Sequence, residues 1–479
     1  MNRAACGAGA VMIAMLAGCT VGPKYRTPDT PVPPVYKEMD GWKTAQPSDQ
    51  ASRGPWWEIF GDAQLNGLEE QVASGNQDLK AMEARFRQAR ATIRLSRAAQ
   101  FPSISTAPSI ASIRDSANRP YLPPDTTHAT GDFILPFDVS YEVDLWGRVR
   151  RSVAAARENA RASAADLETA RLSIQAELAL DYFELRSADV QKRILNRTVE
   201  SYAQALRLTQ NRYEGGAAPR SDVAQAETQL RSAQAQDTDI AVQRAEFEHA
   251  IAVLIGKPPA TFSLEAAAVR LQPPDIPVGL PSELLERRPD IAAAERRVAA
   301  ANEQIGIARA AFFPTLILSA TAGLEGGSIT SWLNWPSRFW AVGPAAVQTL
   351  FDAGRRRAVS ETAQAAYDEA VASYRQAALT GFQQVEDNLA ALRILEQEAH
   401  QQQQAVVAAR DSLQLFANRY KGGVDTYLQV VTAQTTALAN EQNETDIDRR
   451  RMDASVALIK ALGGGWKASS LQAFGGAGL

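Results

Sequence analysis

Apolar residues recur at spacings of three and four along two long stretches of the chain, residues 148–213 and 355–420. Both stretches are rich in Ala, Gln, Arg, Glu and Leu, and neither contains proline. This spacing predicts α-helices, each ~100 Å long at 1.5 Å per residue. Small residues along the apolar seam indicate a coiled coil, because they let neighbouring helices approach closely. Residues 62–99 show a third helical pattern, with Asp62 as the expected N-cap.

Shorter segments alternate apolar and polar residues, which predicts β-strands. The clear cases are residues 133–145 and 315–324, and the weaker ones are 101–114 and 338–351. Strands of about ten residues with one apolar face are typical of transmembrane β-barrels. On this reading the aromatic residues that face lipid are Phe133, Phe137, Tyr141 and Trp340. The acidic residues expected on the inward face are Asp138, Glu142 and Asp144.

The chain also repeats itself. NRYEGG begins at Asn211 and returns as NRYKGG at Asn418, and the match continues on both sides of each string. Each half is predicted to contain a helix, a strand, a loop, a strand, a long helix, a Gly-Gly turn and a last helix. Two halves provide four strands, which cannot close a barrel, and open sheet edges are too costly in lipid. If the strands lie in a membrane, several chains must therefore contribute to one barrel.

These patterns divide the chain into successive segments. The predicted divisions are a signal peptide (1–18), an extended segment (19–61), a first repeat (62–257), a linker (258–282), a second repeat (283–463) and a tail (464–479). Each repeat has an outer loop between its two strands, followed by a long helix, a tip and a last helix. In the first repeat these lie at 115–130, 148–213, 214–219 and 220–256, and in the second at 325–337, 355–420, 421–426 and 427–462.

Composition and charge exclude several classes of protein. The net charge is −4 and the charged residues are mixed in sign, so no basic block indicates nucleic acid. The three histidines are far apart in sequence and both cysteines lie in the first twenty residues, so we expect no metal site. No nucleophile elbow, phosphate-binding glycine loop or HExxH motif is present. We therefore expect that the protein is not an enzyme and binds no cofactor. A periplasmic structural coiled coil remains an alternative, although it would lack the alternating strands.

The N-terminus has the features of a targeting segment. Arg3 precedes an apolar stretch, residues 8–17, that is too short to span a bilayer. The following Leu-Ala-Gly-Cys resembles the lipobox of bacterial lipoproteins, in which Cys19 would become the acylated first residue. Because Thr20 stands where an Asp would resemble an inner-membrane retention signal, the outer membrane is favoured. A plain signal peptide with an incidental cysteine is the alternative.

Strings along nearly the whole mature chain resemble the TolC-like outer-membrane efflux proteins, in their NodT-type lipoprotein branch. The strings are GCTVGPKY (18–25), PWWEIFGDAQLNGL (55–68), FDVSYEVDLWGRVR (137–150), RRPDIAAAERRVAAANEQIGIARAAFFP (287–314), TLFDAGRRR (349–357) and YKGGVDTYLQV (420–430). The resemblance implies a homotrimer with a twelve-stranded barrel in the outer membrane of a Gram-negative bacterium and a twelve-helix barrel in the periplasm. It implies a passive exit duct for small molecules, working with a periplasmic adaptor and an inner-membrane RND-type transporter. A duct for type I protein secretion is the alternative within the family.

The same resemblance assigns roles to the two tips. The closed periplasmic entrance is expected to involve Ser221, Asp222, Tyr420 and Asp425. The adaptor is expected to dock on Glu214, Gly215, Gly216, Lys421, Gly422 and Gly423. Asp425 stands where family members differ, and threefold symmetry would make it a ring of carboxylates with raised pKa values. Arg212 and Arg419 are candidate partners of these acids.

Overall fold

The structure is a computed structural model that describes residues 20–38, 54–116, 118, 120, 128–269, 271–276, 278 and 286–465. Cys19, the predicted signal peptide, the residues after 465 and most of the predicted loop 115–130 lie outside these ranges. The helices are α1 (Ala63–Gly75), α2 (Gln77–Ala98), α3 (Arg148–Glu214), α4 (Arg220–Leu254), α5 (Pro289–Ala310), α6 (Ile329–Trp332), α7 (Arg355–Lys421) and α8 (Tyr427–Ala461). The strands are β1 (Ser103–Ser105), β2 (Ser109–Ile113), β3 (Thr130–Val143), β4 (Thr315–Gly326) and β5 (Arg338–Val347).

The chain forms two compact units. The first unit, Met1–Asp29, Arg85–Ser163 and Ala293–Tyr374, holds the described strands. The second unit, Thr30–Ala84, Ala164–Ala292 and Arg375–Leu479, holds both Gly-Gly turns. The helices α3 and α7 contribute residues to both units, and each has 67 residues, while α4 and α8 each have 35. No helix in the described part of the chain has a run of residues apolar enough to cross a membrane.

The helical pattern of residues 62–99 is interrupted at Asn76. Asp62 is confirmed as the N-cap of α1, because its Oδ1 accepts from the backbone N–H groups of Gln64 and Leu65 at 2.8 and 3.1 Å. Asn76 has an extended conformation between α1 and α2, and its Oδ1 accepts from the N–H of Leu79 at 2.9 Å. The prediction of one continuous helix is therefore wrong, since an internal asparagine cap starts a second helix.

The predicted strand 133–145 is two residues too long at its C-terminal end. β3 ends at Val143, and Asp144 instead caps α3, where Oδ1 accepts from the N–H of Val149 and Oδ2 from that of Arg150, at 3.1 and 2.8 Å. An acid at a helix N-terminus satisfies unpaired N–H groups and interacts favourably with the helix dipole. Asp144 therefore does not belong to the polar face of the strand.

The strands form one antiparallel sheet in which β1 and β2 pair with β3, β3 with β4, and β4 with β5. The predicted strand 101–114 is interrupted at residues 106–108, so β1 and β2 occupy one strand position. Within the described chain, β5 and the β1–β2 position each have a strand partner on one side only. The sheet therefore has two open edges.

The register places apolar side chains from every strand on one face. Phe137 lies opposite Ala322, which lies opposite Trp340, and this row continues the alternation of β3 across the sheet. The other residues of this face include Ile104, Ile110, Leu135, Val139, Leu316, Leu318, Ala320, Val342 and Pro344. The opposite face carries Ser105, Asp132, Asp138, Ser140, Glu142, Ser319 and Thr321. The sheet thus has one largely apolar face and one mixed face, which carries polar residues from β1, β3 and β4 together with apolar residues of β5 such as Phe339 and Ala345.

The residues after Cys19 are fixed within the first unit. The N–H of Val21 donates to the carbonyl of Trp146 at 3.1 Å, just before α3. Gly22 has a φ of +117°, and a Cβ at this position would lie 2.6 Å from the Cα of Gly306 in α5. Only glycine fits this close approach, which holds the extended segment against α5.

Candidate functional site

Both Gly-Gly turns end the preceding long helix with the same hydrogen-bond pattern. In the first turn, the N–H of Ala217 donates to the carbonyl of Arg212 at 2.7 Å. The N–H of Gly216 donates to the carbonyl of Tyr213 at 2.9 Å. This is a Schellman motif, which satisfies carbonyl groups at a helix end. Gly216 and its counterpart Gly423 have φ values of +72° and +76°, a left-handed conformation that residues with a Cβ disfavour. The second position of each pair therefore requires glycine.

Tyr420 lies at the centre of the packing behind these turns. Its side chain is 4% exposed and clusters with the buried Ala226, Tyr427 and Val430. The rings of Tyr420 and Tyr427 are 5.2 Å apart. The partly buried apolar residues that pack on this cluster are Leu206, Leu208, Leu413, Phe416 and Val431. Side chains from α3, α4, α7 and α8 thus meet around one tyrosine.

The structure brings together two of the predicted gate residues. The hydroxyl of Tyr420 donates to Oδ2 of Asp222 in a long hydrogen bond of 3.5 Å. Burial raises the pKa of Tyr420, so the hydroxyl remains a neutral donor near neutral pH. Ser221 is exposed and lies outside the apolar cluster as the structure describes it.

Asp425 has an arginine partner within its own turn. Nε of Arg419 donates to Oδ2 of Asp425 at 2.5 Å, and Nη2 lies 3.4 Å from Oδ1. The hydrogen bond from Arg419 lowers the pKa of Asp425 below its usual value. Within one chain this cation compensates the carboxylate, and the expected threefold ring of Asp425 carboxylates with raised pKa values stays a prediction. Of the two candidate arginines, Arg419 pairs with an acid as proposed.

The outer surface of the tips is accessible and carries both charged and apolar residues. Glu214, Gly215, Lys421 and Gly422 are all exposed. Beside them, Val424 leaves 66% of its surface exposed. The two tips therefore have similar turns but opposite charges at positions 214 and 421. In the described part of the chain, no three His, Cys, Asp or Glu side chains are grouped so as to hold a metal ion.

The four predicted aromatic residues of the sheet share its apolar face. Trp340 and Phe137 are 74% and 49% exposed, and Tyr141 is partly exposed. Phe133 instead packs on Trp332 of α6, with ring centroids 5.7 Å apart. The register places these four aromatic side chains on one face of the sheet. That this face contacts lipid stays a prediction.

Arg212 makes different contacts from those predicted. Its Nη1 donates to the carbonyls of Tyr420 and Lys421 at 2.5 and 3.2 Å, and its Cζ lies 4.6 Å from the centre of the Tyr420 ring. Arg212 therefore binds backbone and ring atoms of the second tip, and the proposed pairing with an acid is wrong. The absence of an acid at Ala218, the counterpart of Asp425, was a signal available in the repeat.

The chain is similar to known proteins over almost its whole length. The family model for outer membrane efflux proteins matches residues 68–257 and 280–464. The chain is 33% identical to the pyoverdine export outer membrane protein OpmQ of Pseudomonas aeruginosa, over 88% of this chain and 89% of that relative. It is 31% identical to the probable efflux pump outer membrane protein TtgC of Pseudomonas putida, over 97% and 96% of the two chains. Among solved structures, the outer-membrane channel OprN superposes with a TM-score of 0.87 at 31% identity, covering 94% of this chain and 100% of that chain.

Proposed function

This chain belongs to the outer membrane efflux protein family, and on that premise we propose that it is the passive exit duct of a tripartite pump. The efflux role and the outer-membrane location follow from the family. An inner-membrane RND-type transporter would supply the energy, and a periplasmic adaptor would join it to the duct. The names of OpmQ and TtgC, which refer to pyoverdine export and to an efflux pump, favour small molecules over secreted proteins.

The open-edged sheet is the observation that carries this proposal. One face carries apolar side chains from every strand, and each edge strand leaves backbone groups without a strand partner in the described chain. Unpaired backbone groups cost several kcal/mol each in lipid, so a membrane sheet must be closed. Three chains would supply twelve strands, which is within the range of known barrels. The same symmetry would bring twelve long helices, α3, α4, α7 and α8 from each chain, into a periplasmic barrel.

The remaining parts of the duct follow from this assembly. A lipid on Cys19 would anchor each chain beside the barrel, and the exposed aromatic residues of the apolar face would contact the bilayer. The two turns of each chain would form the periplasmic entrance, with Ser221, Asp222, Tyr420 and Asp425 around the opening. The exposed glycines and the opposite charges of Glu214 and Lys421 would offer the adaptor two different docking sites in each protomer.

A pair of adjacent substitutions on β5 tests the proposed membrane face. Val342 lies in the middle of the strand on the apolar face, and Ala341 lies beside it on the other face. An arginine that faces lipid at the middle of the bilayer costs ~2–4 kcal/mol, whereas one that faces the lumen is tolerated. We expect Val342→Arg to abolish outer-membrane insertion and Ala341→Arg to preserve it. Membrane fractionation, the mass of the detergent-solubilised oligomer and conductance in planar bilayers are the measurements.

The wild-type protein and Ala341→Arg should both yield trimers that conduct ions across a bilayer. The proposal fails if Val342→Arg is recovered from outer membranes as a conducting trimer in wild-type amount. It also fails if the wild-type protein is a monomer in detergent, because the four strands of one chain cannot close a barrel.

A further inference from the structure

The two tips contain equivalent arginines that make different contacts. Arg212 and Arg419 occupy the same place in the repeated strings NRYEGG and NRYKGG. Arg419 pairs with Asp425 inside its own turn, and its side chain is 56% exposed. Arg212 extends from the end of α3 to the end of α7, where it donates to the carbonyls of Tyr420 and Lys421. Only one of the two arginines therefore joins the hairpins.

The repeat explains why the contacts differ. The first turn has Ala218 where the second has Asp425, so Arg212 lacks the carboxylate that holds Arg419. The guanidinium lies close to the second turn, because a Cβ at Gly423 would be 3.8 Å from Nη2 of Arg212, an ordinary van der Waals contact. The neighbouring tyrosines follow the same asymmetry. Tyr420, beneath Arg212, is 4% exposed, whereas its counterpart Tyr213 is 47% exposed.

Three interactions favour this position of Arg212. The last carbonyls of a helix lack partners within the helix, and Nη1 donates to two of them at the end of α7. The Tyr420 carbonyl thereby accepts a second hydrogen bond beside that from the N–H of Gly423. A positive charge at a helix C-terminus also interacts favourably with the helix dipole. The guanidinium carbon lies 4.6 Å from the centre of the Tyr420 ring, which adds a cation–π contact. Together they hold the ring whose hydroxyl reaches Asp222 on α4.

We propose that Arg212 is a positioning residue that locks the two hairpins of each protomer together and must release Tyr420 before the periplasmic entrance opens. This inference rests on the proposed function, in which the tips form that entrance. All the contacts of this lock lie within one chain. Arg419 is not part of it, because its ion pair remains inside the second turn.

Single-channel recording of purified trimers in planar bilayers tests the lock. We expect Arg212→Ala to raise the open-to-closed ratio about tenfold or more, because two charge-assisted hydrogen bonds are lost. Arg212→Lys keeps the charge at the end of α7 but loses the planar fork, and should lie between wild type and Arg212→Ala. Arg220→Ala removes an equal charge from an exposed side chain next to the same tip, at the start of α4, and should conduct as wild type does. Unchanged thermal unfolding of Arg212→Ala would separate positioning from a general loss of stability.

Asp222→Ala distinguishes the Arg212 lock from the assignment of the tips as the closed entrance, since it removes the acceptor of the Tyr420 hydroxyl and leaves Arg212 in place. If Asp222→Ala raises the open fraction and Arg212→Ala does not, the lock is refuted and the entrance assignment stands. If neither variant changes conduction, the tips are not the closed entrance, and both proposals fail.

Discussion

Glu69 of α1 has a buried carboxyl group without a hydrogen-bond partner in the described structure, and replacing it with glutamine should stabilise the protein. Its side chain is 0% exposed, and neither carboxylate oxygen has a hydrogen-bond partner in the described structure. Burial raises the pKa of Glu69 to about 9. Because a buried charge without a partner is strongly disfavoured, the folded protein retains the proton at neutral pH. Glu69→Gln has nearly the same shape and cannot ionise.

The sign and size of the effect follow from linkage. The unfolded chain releases this proton near the ordinary value of 4.5, so between that pH and about 9 the folded state binds more protons. Stability is therefore lost as the pH rises through this window. At 1.36 kcal/mol per pH unit, the loss by pH 8 approaches about 5 kcal/mol and by pH 5 is below about 1 kcal/mol. Glutamine removes this loss, while unpaired polar atoms remain buried in both proteins.

Thermal unfolding of the detergent-solubilised protein, followed by the helical circular dichroism signal from pH 5 to pH 8, measures this difference. We expect the unfolding midpoint of Glu69→Gln to exceed that of wild type by an amount that grows with pH. Glu70→Gln is the matched control, because Glu70 is the next residue of the same helix and is exposed. Equal midpoints of Glu69→Gln and wild type at pH 8, or a difference independent of pH, would refute the reasoning.

Two further predictions use the same kind of contrast. Burial raises the pKa of Asp453 to about 7 against the opposing effect of Arg449, so Asp453→Asn should raise the unfolding midpoint more at pH 8 than at pH 5. Asp446→Asn, which alters a 46% exposed partner of the same arginine, is the control, and an equal pH dependence would contradict the prediction. Gly423→Ala should destabilise its turn by ~1–2 kcal/mol, because the left-handed φ disfavours a Cβ, whereas Gly422→Ala should not. Amide hydrogen exchange at the second tip measures the difference, and equal exchange rates in the two variants would count against it.

Long-range regularity explains which parts of the fold could be predicted from the sequence. A period of 3.6 maintained over 67 residues, or of two over a whole strand, averages out local exceptions. Single residues that end elements are harder to recognise. Asn76 and Asp144 occur inside otherwise continuous patterns, and their capping roles depend on where the next residues turn. Asp62 was recognisable as a cap because it directly precedes a helical pattern and follows a segment rich in proline and aromatic residues.

The tips show a stricter limit of sequence reasoning. The repeated strings predict two equivalent turns, and the glycine conformations agree closely, with φ values of +72° and +76°. Yet the two strings are followed by different residues at one equivalent position, Ala218 in the first half and Asp425 in the second. Because of this difference, the two arginines bind different partners. Sequence comparison could reveal that Arg212 lacks an acid nearby. It could not reveal where the side chain goes instead, because its acceptors are backbone carbonyls at the end of a helix about 200 residues away, and only the packing of four helices around Tyr420 brings them within reach. A sequence repeat therefore predicts shared backbone geometry more securely than shared side-chain partners, and the asymmetric contacts are where the two tips can acquire different roles.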